Sequence, residues 1–281
     1  METRITGATK EVVISDQRPT VLIGERINPT GKKQLAESLR TGNLEVVRDL
    51  AYAQAQAGAD VLDVNVNTPG GDEISLLPEA VKLVMDTVDL PLCIDTTNAE
   101  ALEAALRVYP GRALINSVTG EQASLTRVLP LAKEYGAAVI ALVQDDDGIP
   151  KDVERRVANA HTIMQRAKEL GIPPEDIIID PLAFALAAEP GSGIIVLEAI
   201  RRIKAELGVN LTLGASNISF GLPDRELLNS AFLAVAITAG VNCPIVDVAR
   251  MRPAVLAAGL ILNRDKYAQR YIRAFRQRQK K

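Results

Sequence analysis

In Gly58-Ala-Asp-Val-Leu-Asp-Val-Asn-Val-Asn67 a glycine closes one helical pattern and a β-branched, aliphatic run follows it. A glycine at that place can take the left-handed conformation that caps a helix. The run over 61–66 is too continuously apolar for a strand with one wet face, and it reads as a parallel strand buried on both sides. Within it Asp63, Asn65 and Asn67 alternate with Val64 and Val66. A period of two then sets the three polar side chains on the interior face, toward one end of the strand.

Seven further runs share this character, at 21–24, 92–95, 113–116, 138–143, 177–180, 211–214 and 245–248. Helical periodicity fills the intervals, as in Leu44, Val47, Leu50 and Ala51, in Leu125, Val128, Leu129 and Ala132, and over 151–170, 194–207 and 224–240. The helix-to-strand glycine returns at Gly136 and Gly171. Eight strand–helix units in about 250 residues, without a linker, predict an α/β fold of one closed (β/α)8 TIM barrel. The barrel domain is expected over 1–281, with 1–20 forming an N-terminal arm or a plug across the barrel floor. A doubly wound open sheet is the alternative, but no Gly-x-Gly-x-x-Gly follows the first strand.

Composition narrows the chemistry. A net charge of −3 gives no basic field to draw the whole chain to nucleic acid or membrane, and neither is expected as a partner. The basic end, 273–281, is expected to be a solvated tail. Residues 1–17 are polar, unlike a signal peptide, and no run approaches the ~20 apolar residues that span a bilayer. Two cysteines, Cys93 and Cys243, fit a reducing cytoplasm and no disulfide framework. With His161 as the one histidine, set in a helical period, a zinc site or a nucleophile–histidine site lacks its parts, and no metal is expected.

Chemistry in such a barrel sits at the C-terminal ends of the strands. Those ends hold Glu25-Arg26-Ile27-Asn28, Asp63 with Asn65 and Asn67, Asp95-Thr-Thr-Asn98, Asn116-Ser117, Gln144-Asp-Asp-Asp147, Asp180-Pro181, Ser216-Asn217 and Asp247. Asn98 and Asp224 directly precede helices and are expected as N-caps. Asp63, Asn65, Asp95, Asn116 and Asp180 lie within or at the end of apolar strands, where a carboxylate is costly to bury without donors. An N–H edge such as that of a pterin suits these acceptors, and so does a polyol or amide. Phosphate fits less well, because the seventh strand ends in Gly214-Ala-Ser-Asn217 and not in a glycine nest.

Six segments in order carry a family resemblance: Leu22-Ile-Gly-Glu-Arg-Ile-Asn-Pro-Thr-Gly31, Asp60-Val-Leu-Asp-Val-Asn65, Leu92-Cys-Ile-Asp-Thr-Thr-Asn98, Leu114-Ile-Asn-Ser117, Ile178-Ile-Asp-Pro-Leu182 and Gly214-Ala-Ser-Asn-Ile-Ser219. From Val21 onward the chain resembles the methyltetrahydrofolate:corrinoid protein methyltransferases, and is similar to the folate domain of cobalamin-dependent methionine synthase. The resemblance implies a homodimer acting on tetrahydrofolate or 5-methyltetrahydrofolate, with cobalamin or another corrinoid supplied on a partner corrinoid protein. It implies that Asp95, Asn116 and Asp180 hold the pterin's polar edge and that Asn217 lies against N5. Asn217 and Asp95 would be the catalytic residues, with Asp63, Asn65 and Arg225 around the pocket. The loop at 66–73 and the acidic end at 144–148 depart from the family pattern, both at the mouth. The alternatives are a dihydropteroate synthase-like enzyme, which would carry a lysine on the seventh strand, and a non-catalytic pterin-binding subunit. The sequence leaves the direction of methyl transfer and the pathway open.

Overall fold

A computed structural model describes residues 1–279. Two short strands, β1 (Thr3–Thr6) and β2 (Glu11–Ile14), pair antiparallel as a hairpin. Eight parallel strands follow: β3 (Ile23–Ile27), β4 (Val61–Val64), β5 (Leu92–Asp95), β6 (Leu114–Thr119), β7 (Ala138–Leu142), β8 (Ile177–Asp180), β9 (Asn210–Leu211) and β10 (Ile245–Val246). They neighbour one another in chain order, and β10 pairs with β3. A parallel bridge between Gly214 and Ile245, with the Ile245 N–H donating to Leu213 O at 3.0 Å, joins the last two strands and closes the ring.

The helices alternate with the strands: α1 (Lys33–Arg40) and α2 (Glu45–Ala57) after β3, α3 (Glu73–Thr87), α4 (Ala99–Val108), α5 (Gln122–Tyr135), α6 (Val153–Glu169), α7 (Ser192–Leu207), α8 (Arg225–Ala239) and α9 (Val248–Ile261). Gly58 and Gly136 cap α2 and α5 in the left-handed conformation, at φ 92° and 60°, as the glycine-before-strand pattern predicts. Asn98 caps α4 by accepting from the Glu100 and Ala101 N–H groups.

Inside the ring the alternation of strand residues divides the interior by height. The lower layers are apolar: Ile23, Val61, Cys93, Leu114, Ala138, Ile140, Ile178 and Ile245 form one buried cluster with Ile5, Val12 and Ile14 of the hairpin. The hairpin therefore seals the barrel floor, where leaving these side chains wet would cost ~2 kcal/mol each. Two residues further along the same strands the same face turns polar, giving Glu25, Asp63, Asp95, Asn116 and Asp180.

Four expectations are corrected. β4 ends at Val64, and Asn67 is exposed because the chain turns on Asn65, whose side chain accepts from the Asn67 N–H at 2.9 Å. The strand at 245–248 is only Ile245–Val246, since Val248 already opens α9. Asp224 precedes α8 in the left-handed conformation, at φ 47°, with no side-chain cap. The basic end is no loose tail. Gln269–Arg278 is a tenth helix, α10, docked on α9 through buried Ala274, while Lys280 and Lys281 lie outside the described residues. No helix among the described residues is long and apolar enough to cross a membrane.

Candidate active site

The polar layer at the strand ends falls into two groups on opposite arcs of the ring. Asp63, Asn65, Asp95 and Asn116 come together on β4–β6. The Asn116 side-chain amide donates to Asp63 Oδ1 at 3.0 Å, and Asn65 and Asp63 both hydrogen-bond Asp95. Both carboxyls are buried, and burial is the largest cause of their shifts. Asp95 is pushed up to about 6, and Asp63, which also faces the Asp95 charge, is held well above the ordinary carboxylate range. The hydrogen bond between the two carboxyls requires that the pair hold a proton between them. Thr96 ties the neighbouring loop in place by donating to Glu73 Oε1 at 2.7 Å.

The second group is on β8 and the turn after β9. Burial raises Asp180 to about 6, and its carboxylate accepts from the backbone N–H groups of Leu182 and Gly214. Gly214 begins the 3₁₀ turn Ala215–Ser219 that carries Asn217. Asn217 is exposed, and its side-chain nitrogen would lie 3.0 Å from a Cβ placed on Gly214, so a side chain there would crowd it. Arg225 does not line the interior. From the start of α8 it clamps this turn, donating to Ser216 O at 2.8 Å and Ser219 Oγ at 3.0 Å, with its guanidinium 5.7 Å from the Phe220 ring centre.

Four contributors were given no site role from the sequence, although Glu25 and Ser216 stood among its polar strand ends. Glu25 occupies the interior position two after Ile23, and accepts from Ser216 Oγ at 2.8 Å, fastening the end of β3 to the Asn217 turn. Its carboxyl is raised, first by burial, and the strand's period of two was the signal that could have found it. Ser216 forms the other half of that bond. Lys32 donates to the carbonyls of Arg26 and Asn28 at 3.1 and 3.0 Å, and lies in the field of Glu25, Asp247 and Asp63. Burial holds its ammonium below the ordinary lysine value. Arg156, on α6, is 2% exposed and donates to the carbonyls of Pro150, Pro181 and Leu182, supporting the turn after Asp180. Nothing in the local pattern of α6 marks that arginine as internal.

Of the two departures at the mouth, the acidic one is partly neutralised. Arg155 binds Asp145 at 2.9 Å and also pairs with Asp147. His161 is an exposed helix residue paired with Glu206 at 2.9 Å, far from any strand end in the sequence.

A ring of buried acceptors over an apolar floor, with an amide on a closing turn, suits a flat heterocycle that presents N–H groups. Residues 24–247 match the family profile described as pterin binding enzyme. The chain belongs to the pterin-binding enzymes. This pterin-binding enzyme is 34% identical over 267 residues to a methylcorrinoid:tetrahydrofolate methyltransferase of Eubacterium limosum, covering 92% of this chain and 96% of that protein. It is 34% identical over 251 residues to methionine synthase of Mycobacterium leprae, matching 84% of this chain and spanning 21% of that longer protein. Among solved structures, Yersinia pestis dihydropteroate synthase with a pterine-sulfa conjugate superposes with a TM-score of 0.68 at 17% identity, over 93% of this chain and 99% of that one. The dihydropteroate synthase of Thermus thermophilus gives 0.67 at 22% identity, over 92% and 99% of the two chains. These two likenesses are of fold, and they agree with the closed barrel.

Proposed function

We propose that this barrel is a methyltransferase that moves a methyl group between N5 of methyltetrahydrofolate and the cobalt of a corrinoid carried on a second protein. The observation that carries the reading is the turn at 215–219. It brings Asn217, exposed and with no side-chain partner among the described residues, to the rim of the buried acid ring. The names of the relatives with 34% identity point the same way. A dihydropteroate synthase would be expected to have a lysine where this chain has Ser216-Asn217.

In this reading Asp95, Asn116 and Asp180 receive the N–H edge of the pterin. Each N–H that donates to Asp95 or Asp180 stabilises the carboxylate against its burial, so ligand binding draws both pKa values back down. As the methyl group leaves, the C–N bonding pair stays on N5, and an unprotonated N5 would be a poor leaving group. The Asn217 side-chain carbonyl accepts from N5–H⁺ and binds more tightly as the proton arrives, which is stabilisation confined to the transition state. The Asp63–Asp95 pair keeps a proton beside the pterin for that transfer. The corrinoid is the second substrate and accepts or donates the methyl group.

The test is spectral. The protein mixed with methyltetrahydrofolate and Co(I) cobalamin should form methylcobalamin, and methylcobalamin with tetrahydrofolate should show the reverse. Failure in both directions, with condensation of a hydroxymethyl-dihydropterin diphosphate and p-aminobenzoate instead, would replace this reading with the synthase.

A further inference from the structure

Arg156 is the one buried cation among the described residues, at 2% exposure, and it comes from α6, outside the ring. Three hydrogen bonds hold it, and none of them goes to a carboxylate. Nε donates to Pro150 O at 2.9 Å, and Nη1 donates to Pro181 O at 2.8 Å and to Leu182 O at 2.6 Å. Taking a cation out of water without a carboxylate partner is costly, and a hydrophobic side chain of similar volume would fill the space with less penalty. Such a side chain would lack the reach of the arginine and its charge. Both act on Asp180.

The reach joins two loops at the mouth. Pro150 is in the loop after β7, and Pro181 and Leu182 open the loop after β8, directly beyond Asp180. The Pro181 carbonyl and the Leu182 N–H are the two ends of one planar peptide unit. Its carbonyl accepts from Arg156, and its N–H donates to Asp180 Oδ1 at 2.7 Å. A donor on the carbonyl polarises the peptide and strengthens the bond that its N–H makes. Leu182 itself is left-handed, at φ 64°, a conformation that a branched side chain holds only where its surroundings enforce it. The bond from Arg156 to the Leu182 carbonyl supplies that enforcement on the far side of the residue. The charge works in the same direction. Burial raises Asp180, and the field of Arg156 opposes that rise, as the field of Asp180 favours the arginine cation. Asp152, at the start of α6, also faces Arg156. The other titratable group facing Asp180 is the Cys243 thiol, which burial keeps neutral.

We propose that Arg156 is a positioning residue for the pterin: through the Pro181–Leu182 peptide it aims the N–H that orients Asp180, and its charge keeps Asp180 in the carboxylate form that accepts from the ligand. The inference rests on Asp180 receiving the N–H edge of the pterin, as proposed above. Two substitutions separate the two roles. Lysine keeps the charge, but one ammonium cannot span the carbonyls of both loops as the guanidinium fork does. Glutamine keeps some hydrogen bonding and loses the charge.

Calorimetric binding of 5-methyltetrahydrofolate from about pH 5 to about pH 9 tests this. In the parent, affinity should rise as Asp180 ionises, around its raised pKa of about 6. Asp95 titrates in the same range, but it lies on the opposite arc, and its share should not move with Arg156. Arg156→Gln should carry the Asp180 step upward by about one pH unit and weaken binding about tenfold near neutral pH. Arg156→Lys should weaken binding about fivefold at every pH and leave the step in place. If the glutamine variant does not fold, the lysine variant carries the test in a Leu182→Gly background. Glycine takes the left-handed conformation unaided, so Arg156→Lys should cost less there than in the parent, by a factor of about three. An Asp180 step unmoved in Arg156→Gln, or, where that variant is unfolded, losses that simply multiply in the Arg156→Lys and Leu182→Gly pair, would overturn the proposal and leave Arg156 a support of the fold alone. A parent that binds no 5-methyltetrahydrofolate would overturn the pterin reading, and this proposal with it.

Discussion

The two ends of this barrel bury polar groups in opposite ways. At the floor, Asn210 and Asn242 are each 1% exposed, and their side chains are used up. Asn210 donates to Thr3 Oγ1 at 2.8 Å and Ile14 O at 3.0 Å, and accepts from Asn242 at 2.8 Å. Asn242 also donates to Asp16 at 3.0 Å and accepts from the Leu211 N–H at 3.2 Å. At the mouth, Asp63 and Asp180 are nearly as buried, at 2% and 5%, yet they are ionisable groups with acceptor capacity to spare, and burial lifts their pKa values. A buried amide with every bond made holds the hairpin to the barrel. A buried carboxylate with lone pairs left over is arranged for something that brings donors.

That contrast is open to direct attack, most strongly at the mouth. Asn217→Ala should lower methyl transfer by about 10²-fold or more, the scale of losing one transition-state hydrogen bond. The melting temperature should not move, because the side chain is exposed and has no protein partner among the described residues. Near-normal turnover in single-turnover kinetics would remove Asn217 from the reaction.

The floor should answer the other way. Asn210→Ala strips partners from Thr3 and Asn242 in a dry site, and should cost about 3 kcal/mol in chemical denaturation. Turnover per folded molecule should be unchanged. A variant that stays stable while losing activity would mean that the hairpin serves the site and not the fold.

How much of this was legible in the sequence follows the same division. Strand–helix alternation is local, so the eight strands and the glycine caps at Gly58 and Gly136 could be read directly. Asp63, Asp95, Asn116 and Asp180 could be placed too, since a polar residue two after an apolar interior one must face the same side. Glu25 obeys that rule as well, two after Ile23, but stood in a motif read as a whole. Lys32 and Arg156 reach their places through a loop and from an outer helix, and no periodicity encodes such a reach. The C-terminal helix escaped because its one buried face is short: among its residues only Ala274 is buried.

The mouth carboxylates, raised by burial, also make a pH prediction. A carboxyl with a folded pKa of about 6, above the ordinary 3.8, favours the folded state when protonated. Its contribution is complete below about pH 4 and is lost as pH rises through 6. Asp180→Asn should therefore leave stability unchanged near pH 4 and raise it by about 1–2 kcal/mol at pH 8, below the full linkage value because an amide replaces only one of two acceptor oxygens. The same variant should bind the pterin less well. Melting curves at the two pH values decide it. A variant less stable than the parent at pH 8 would show that the Leu182 and Gly214 N–H groups already satisfy the carboxylate, and the contrast with the floor would fail at that residue.

The smallest expected effect tests whether the mouth is held together or merely assembled. Ser216 Oγ donates to Glu25 at 2.8 Å, and this bond crosses from the end of β3 to the turn that aims Asn217. Ser216→Ala removes one hydrogen bond, worth about 1 kcal/mol, so methyl transfer should fall about fivefold. Glu25, already pushed toward its neutral form by burial, loses the bond that opposed that shift, and its carboxyl should titrate at a higher pH than in the parent. A change in the pH profile of kcat distinguishes positioning from simple loosening, since loosening alone would lower the whole profile evenly. If the rate falls and the profile keeps its shape, the bond only stiffens the turn, and Glu25 belongs to the fold in the way Asn210 does.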